Sequence, residues 1–286
     1  MLPSVLNGLL KTPYSRSEIM LWIIGKDGML GRAFCRILKE KNIPFIATSK
    51  GEVDITHPVV DFDFDTAVNC SGYTAVDHAE KQPQLAHAIN IEGVEALARL
   101  GKKVIHFSTD YVFDGSQGTP YSEKDFTRPL SVYGQSKRTG EERLLKLSPE
   151  SLVIRTSWLF GREGRNFVLT MRELMKERDE LQIVADQVGR PTFCDDLVHA
   201  TLELLDESGI IHFANSGVTT WYEFAQEIGK EVNYSGVKPI SSAQYDAAAK
   251  RPHYSVLDTA KVEALLGKTP RHWKEALKDL ICKISS

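Results

Sequence analysis

Tyr133 and Lys137 stand four residues apart in SVYGQSKRTGEE, so a helix there carries both on one face. A phenol beside an ammonium, and near the positive charge of an oxidised nicotinamide, has its pKa drawn below the usual value of about 10. Such a phenol exchanges a proton with a substrate oxygen while hydride moves at carbon. Ser108 or Thr109, closing the apolar run KKVIHFSTD, is placed to hold the same oxygen. The Tyr-x-x-x-Lys spacing alone recurs by chance in helices. It gains weight from that Ser-Thr-Asp run end and from a glycine turn upstream.

Gly25, Gly28 and Gly31 form Gly-x-x-Gly-x-x-Gly between an apolar run, Ile19 to Ile24, and a stretch with helical spacing of Ala33, Phe34, Ile37 and Leu38. Bare glycines permit the tight turn, admit a pyrophosphate to the backbone and let the helix pack on the sheet, with its N-terminal amides facing the phosphates. The turn lacks the Gly-Lys-Ser/Thr ending of a nucleoside-triphosphate loop, which disfavours ATP or GTP hydrolysis. The next strand ends in Ala47-Thr48-Ser49-Lys50, without the acid that holds adenosine ribose hydroxyls in NAD sites. Lys50, with Arg32, could accept a 2′-phosphate, although both read equally well as surface charges. The expectation is NADPH, with NADH possible, and Asp54 is placed toward adenine.

These residues need strands and helices in alternation to position them, and the first half supplies it. Apolar runs at Ile19–Ile24, IPFIATS, TAVNCSG, KKVIHFSTD and SLVIRTSWLF read as strands. Helical patterns fall between them in RAFCRILKEK, PQLAHAINIEGVEALARLG and Gly134 to Leu147. Continuous apolar strands separated by helices are the mark of a parallel sheet covered on both faces. The expected class is α/β, a Rossmann-type parallel sheet flanked by helices with a smaller C-terminal substrate lobe. Residues 1–19 read as an N-terminal arm and 20–160 as the core dinucleotide-binding domain. Residues 161–286 read as a mixed segment that forms the lobe and completes the core.

The chain has 286 residues, 42% hydrophobic and 26% charged, with 35 Lys+Arg against 38 Asp+Glu for a net charge of -3. That balance excludes wholesale disorder and gives no support to nucleic-acid binding. No apolar run is long enough to span a bilayer. The four cysteines, Cys35, Cys70, Cys194 and Cys282, are widely spaced and fit a reducing, cytoplasmic setting. The eight histidines form no metal-ligand pattern, and His106, inside a strand, reads as a satisfied core residue. No metal is expected.

The blocks GKDGMLG, VDITHP, VNCSGYTAVDHAE, STDYVFDG, VYGQSK, RTSWLFG, DQVGRPT and RPHYSVLD resemble the extended short-chain dehydrogenase/reductase family, and within it the dTDP-4-dehydrorhamnose reductase branch. The resemblance runs from Ile23 to about Asp258. It implies an NAD(P)H-dependent reductase of a dTDP-linked 4-keto-6-deoxy sugar, in proteins that are commonly homodimers. By the same resemblance Thr109, Tyr133 and Lys137 are catalytic, with Lys137 also holding the nicotinamide ribose. Gly25, Gly28, Met29, Leu30, Gly31, Ser49, Lys50, Asp54, Ile55, Ser71, Gly72 and Tyr73 would line the cofactor. Thr109, Asp110, Trp158, Arg190 and Arg251 would face the sugar nucleotide. Some members bind magnesium through interface glutamates, where this chain has Arg32 and Ala33. A related branch is a non-catalytic regulatory subunit of methionine adenosyltransferase; retention of Tyr133 and Lys137 argues for chemistry here. A reductase of another nucleotide-linked keto sugar is the nearer alternative.

Overall fold

The computed structural model describes residues 19–285, so all of the expected arm except Ile19 lies outside the described residues. Strands β1 (Leu21–Ile24), β2 (Phe45–Thr48), β3 (Thr66–Asn69), β4 (Lys103–Thr109) and β5 (Leu152–Thr156) join a sixth, Gly209–His212, in one sheet. Across the sheet the order is Gly209–His212, β5, β4, β3, β1, β2, and every neighbouring pair is parallel.

All four residues of β1 are buried because the sheet is covered on both faces. Leu21 and Ile23 enter a cluster with Phe34, Ile37 and Leu197. Trp22 and Ile24 enter the opposite cluster with Val94, Leu97 and Leu144. The alternation of side chains along a strand thus feeds two apolar layers. Helix α1 (Met29–Glu40) returns the chain to β2 on one side of β1, and the next crossover places β3 on the other. The reversal opens a crevice at the carboxyl ends of β1 and β3, where open α/β sheets bind ligands.

A third apolar cluster, built on Phe160, Phe193, Phe224, Trp273 and Leu280, forms the core of the smaller lobe. Its two-stranded parallel pair, Leu181–Val184 with Val237–Ile240, has no clear counterpart in the sequence reading. Among the described residues no helix is long and apolar enough to cross a membrane.

Three elements depart from expectation. SLVIRTSWLF is not one strand: β5 stops at Thr156, Trp158 takes φ 47°, and Leu159–Phe160 pairs instead with Thr192–Phe193. The helical stretch after Gln82 is α-helical at Pro83–His87, π-helical at Ala88–Gly93 and α-helical again at Val94–Ala98. The Tyr133 helix begins at Val132, before Gly134, because Ser131 Oγ accepts the Gly134 N–H at 3.1 Å and caps it.

Candidate active site

A cavity of about 560 Å³ occupies the crevice. Its floor is the glycine turn. Gly25 has φ 81°, a left-handed backbone that glycine adopts without strain. The Gly25 and Lys26 N–H groups both donate to Thr48 O at 2.8 and 3.0 Å, which fastens the turn to the end of β2. A Cβ on Gly31 would lie 2.2 Å from Gly25 O, so α1 reaches the turn only because that side chain is missing. Gly28, the N-cap of α1, makes no side-chain cap bond and the first turn holds no acid. The helix end therefore presents unpaired N–H groups to an anion.

The end of β2 differs from expectation. The Lys50-Gly51 turn brings Glu52 back onto Ser49, whose N–H and Oγ–H both donate to Glu52 Oε2 at 2.7 Å. Lys26 Nζ lies 2.6 Å from the same oxygen. The Lys26 and Ser49 hydrogen bonds pull the Glu52 carboxyl down to about 2. An acid thus stands at this edge after all. Lys50 lines the cavity, whereas the Arg32 Nε–H donates to Asp27 O. Asp54 lines the wall and accepts the Thr56 N–H and Oγ–H at 2.9 Å.

On the far wall Tyr133 and Lys137 stand with Ser108 and Thr156. The Ser108 and Thr156 hydroxyls are buried without a hydrogen-bond partner, a costly state that an entering polar ligand would relieve. Thr109 Oγ1 donates to Asp110 Oδ1 at 3.1 Å, and Ser255 Oγ donates to Asp110 Oδ2 at 2.5 Å. Burial raises the Asp110 carboxyl to about 7 against those bonds. Tyr133 departs from the lowered pKa expected of it: burial pushes the phenol up to about 12, with the Thr109 hydroxyl opposing. Lys137 Nζ is directed elsewhere, donating to Phe107 O at 2.6 Å and meeting His106 Nε2 at 2.9 Å. Burial lowers Lys137 itself to about 8.

The sequence reading missed the residues that hold this wall. Asn90, fully buried in the π-helical turn, accepts the Tyr73 N–H at 2.8 Å and donates to Tyr73 O and to Ser136 Oγ. It joins the loop after β3 to the Tyr133 helix. Asn69 reaches His106 Nδ1 at 3.1 Å. The available signal was parity: His106 and Ser108 are two apart on β4 and so share a face.

The remaining expected residues, Gly31, Tyr73, Thr109, Asp110, Trp158, Arg190 and Arg251, do not themselves line this cavity, although the Thr109 hydroxyl reaches Tyr133 on its wall. Trp158 stacks on Trp221, ring centroids 3.6 Å apart and 8° from parallel. A Cβ on Gly189 would lie 2.6 Å from Trp158 Cε2. The Trp158 Nε1–H is buried without a partner. Arg190 Nη1 donates to Thr259 Oγ1 at 3.0 Å, and its Nε–H has no partner. Arg251 is held in both directions by Asp77, at 3.1 and 2.6 Å, so a phosphate would have to compete with that carboxylate.

A parallel sheet with this strand order, a glycine turn feeding a bare helix N-terminus, and unpartnered hydroxyls beside a Tyr–Lys pair define a Rossmann-type NAD(P)H-dependent oxidoreductase. Residues 19–286 match the family model described as RmlD substrate binding domain. The chain belongs to that family. It is 38% identical to a dTDP-4-dehydrorhamnose reductase from Aggregatibacter actinomycetemcomitans, over 91% of this chain and 97% of that one. A crystal structure of a dTDP-4-dehydrorhamnose reductase from Clostridium acetobutylicum superimposes with TM-score 0.89 at 37% identity, covering 94% of this chain and all (100%) of the other. A dTDP-4-dehydrorhamnose reductase from Bacillus anthracis, in complex with NADP, gives TM-score 0.87 at 34% identity over 93% and 99% of the two chains.

Proposed function

We propose that this protein reduces the C4 ketone of dTDP-4-dehydro-6-deoxy-L-hexose to give dTDP-L-rhamnose, with NADPH preferred over NADH. The observation that carries the reading is the pair Tyr133 and Lys137 on one wall of a cavity floored by the glycine turn. The reduced nicotinamide supplies hydride when bound. The amides at the start of α1 would hold its pyrophosphate, Asp54 and Ile55 its adenosine end, and Lys137 its nicotinamide ribose. Lys50 favours a 2′-phosphate, while Glu52 at the same edge moderates that preference.

Tyr133 donates its proton to the oxygen that becomes an alkoxide, and Thr109 orients that oxygen. A phenol protonated at neutral pH is the correct starting state for a reduction. Asp110, tied to Ser255 of the smaller lobe, keeps the Thr109 backbone beside the lobe that receives the sugar. Trp158 and Arg190 supply unpartnered N–H donors on that side, suited to a sugar hydroxyl and a diphosphate.

The test monitors reduced-nicotinamide absorbance with the dTDP-4-keto sugar made in place by the dehydratase and epimerase reactions that supply it. Substrate-dependent oxidation that disappears in Tyr133→Phe supports the reading. Silence with both cofactors, beside demonstrated cofactor binding and an active control reductase, overturns it.

A further inference from the structure

Behind Lys137 three side chains meet end to end. The Ser71 N–H and Oγ–H both donate to Asn69 Oδ1, at 3.1 and 2.5 Å. That fixes the amide and turns its nitrogen toward His106 Nδ1, 3.1 Å away. An amide nitrogen only donates, so Nδ1 must accept, and a neutral imidazole then carries its proton on Nε2. Nε2 lies 2.9 Å from Lys137 Nζ. An ammonium has donors and no acceptor, so it would set N–H against N–H at this contact. An amine offers its lone pair to Nε2–H and keeps a hydrogen for Phe107 O at 2.6 Å. Rotating the Asn69 amide does not rescue the ammonium cheaply, since it leaves the Ser71 N–H facing an NH₂ group. Asn69 and His106 are both fully buried and Lys137 is 3% exposed, which keeps water from mediating these contacts.

We infer that His106 is a positioning residue that shifts Lys137 from ammonium toward the neutral amine until a dinucleotide enters the cavity. The other charged and titratable groups around Lys137 do not reverse this. Glu141, on its own helix, favours the ammonium, but that carboxylate is bound by Arg155 of β5 at 2.7 Å. Tyr133, also on the helix, carries its proton, and behind it stands Asp110 at the end of β4. The loop after β3 brings the uncharged Gly72 near Nζ. Burial acts in the same direction as His106 and lowers both His106 and Lys137.

The charge assignment rests on the hydrogen-bond geometry and burial around Nζ; its consequence for turnover rests on the proposed function. In that reading ligand oxygens that draw Nζ away from His106 strengthen the ammonium the chemistry uses.

The experiment is an NMR titration of the ligand-free, full-length chain with isotope-labelled lysines, the Lys137 signal being assigned by its loss in Lys137→Met. The wild type is expected to titrate about two units below the ordinary lysine value of about 10.4. His106→Gln, which can turn an oxygen to Nζ without adding charge, is expected to raise the midpoint by about one unit, the worth of one hydrogen bond. Asn69→Leu, which frees the imidazole tautomer, is expected to move it the same way. An ordinary lysine titration in the wild type overturns the inference. So does a lowered midpoint that rises in neither variant, since burial alone then explains it. If one variant does not fold, the other decides. No turnover is needed, so a chain that fails to reduce the sugar but shows this titration sinks only the proposed function.

Discussion

Glu141 and Arg155 form an ion pair sealed inside the protein, with side chains 2% and 4% exposed and Arg155 Nε and Nη2 both donating to the carboxylate. The pair ties the Tyr133 helix, one turn beyond Lys137, to β5, and the Arg155 guanidinium lies over the Phe113 ring at 5.3 Å. Removing one partner leaves the other charge buried and unpaired. Arg155→Leu is expected to lower stability by about 3–5 kcal/mol, read by chemical denaturation, and a loss below about 1 kcal/mol would contradict a pair that locks the helix in place.

Tyr133→Phe is expected to reduce substrate-dependent cofactor oxidation by about 10²- to 10⁴-fold, the usual scale for a positioned general acid. Cofactor affinity measured by fluorescence titration should stay within a few-fold, because the glycine turn and α1 are untouched.

Asp110 sets a pH dependence of stability. Its carboxyl stands at about 7 in the fold against about 3.9 unfolded, so between those values the folded chain keeps a proton that the unfolded chain has lost. Stability must therefore fall as pH rises through that window, by at most on the order of 4 kcal/mol for one group. Asp110→Asn should flatten the slope between about pH 4 and about pH 7. An unchanged slope in denaturation curves would place the proton elsewhere.

Gly31→Ala puts a Cβ 2.2 Å from Gly25 O, where backbone must give way. A strain of about 1–3 kcal/mol is expected, together with weakened cofactor binding, since α1 and the turn it abuts are displaced together. Isothermal titration of the variant against wild type reads the second effect, and equal affinities would separate the helix packing from the binding site.

Lys50→Ala is expected to weaken NADPH about tenfold while leaving NADH nearly unchanged. Glu52→Gln should shift the ratio toward NADPH, because it removes the negative charge from the Ser49 edge. Comparing KM for the two cofactors in each variant checks both directions.

The parallel sheet and its glycine turn were legible because they depend on neighbours in sequence: the β1 run, the three glycines and the apolar spacing of α1 act within a few residues of one another. Tyr133 and Lys137 were legible for the same reason. Glu52 escaped notice because a two-residue turn, not strand register, carries it back to Ser49. Pairs made by the fold could not be read locally. Arg251 is claimed by Asp77, 174 residues away, and Trp158 is stacked by Trp221 from another element. The run SLVIRTSWLF looked like a single strand because apolar content does not report a positive φ at Trp158.

The π-helical turn at Ala88–Gly93 holds one residue more than an α-helix would use, and Asn90 owes its inward aim to it. A Cβ on Gly140 would lie 2.2 Å from Asn90 O, so the Tyr133 helix runs almost against this backbone. Deleting a single residue here would restore a regular helix but rotate the residues before it by about 100° relative to those after it. Asn90 would then leave Tyr73 and Ser136 together. The segment should accept many exchanges of side chain on its outer face yet reject any change in length, a tolerance opposite to that of a surface loop.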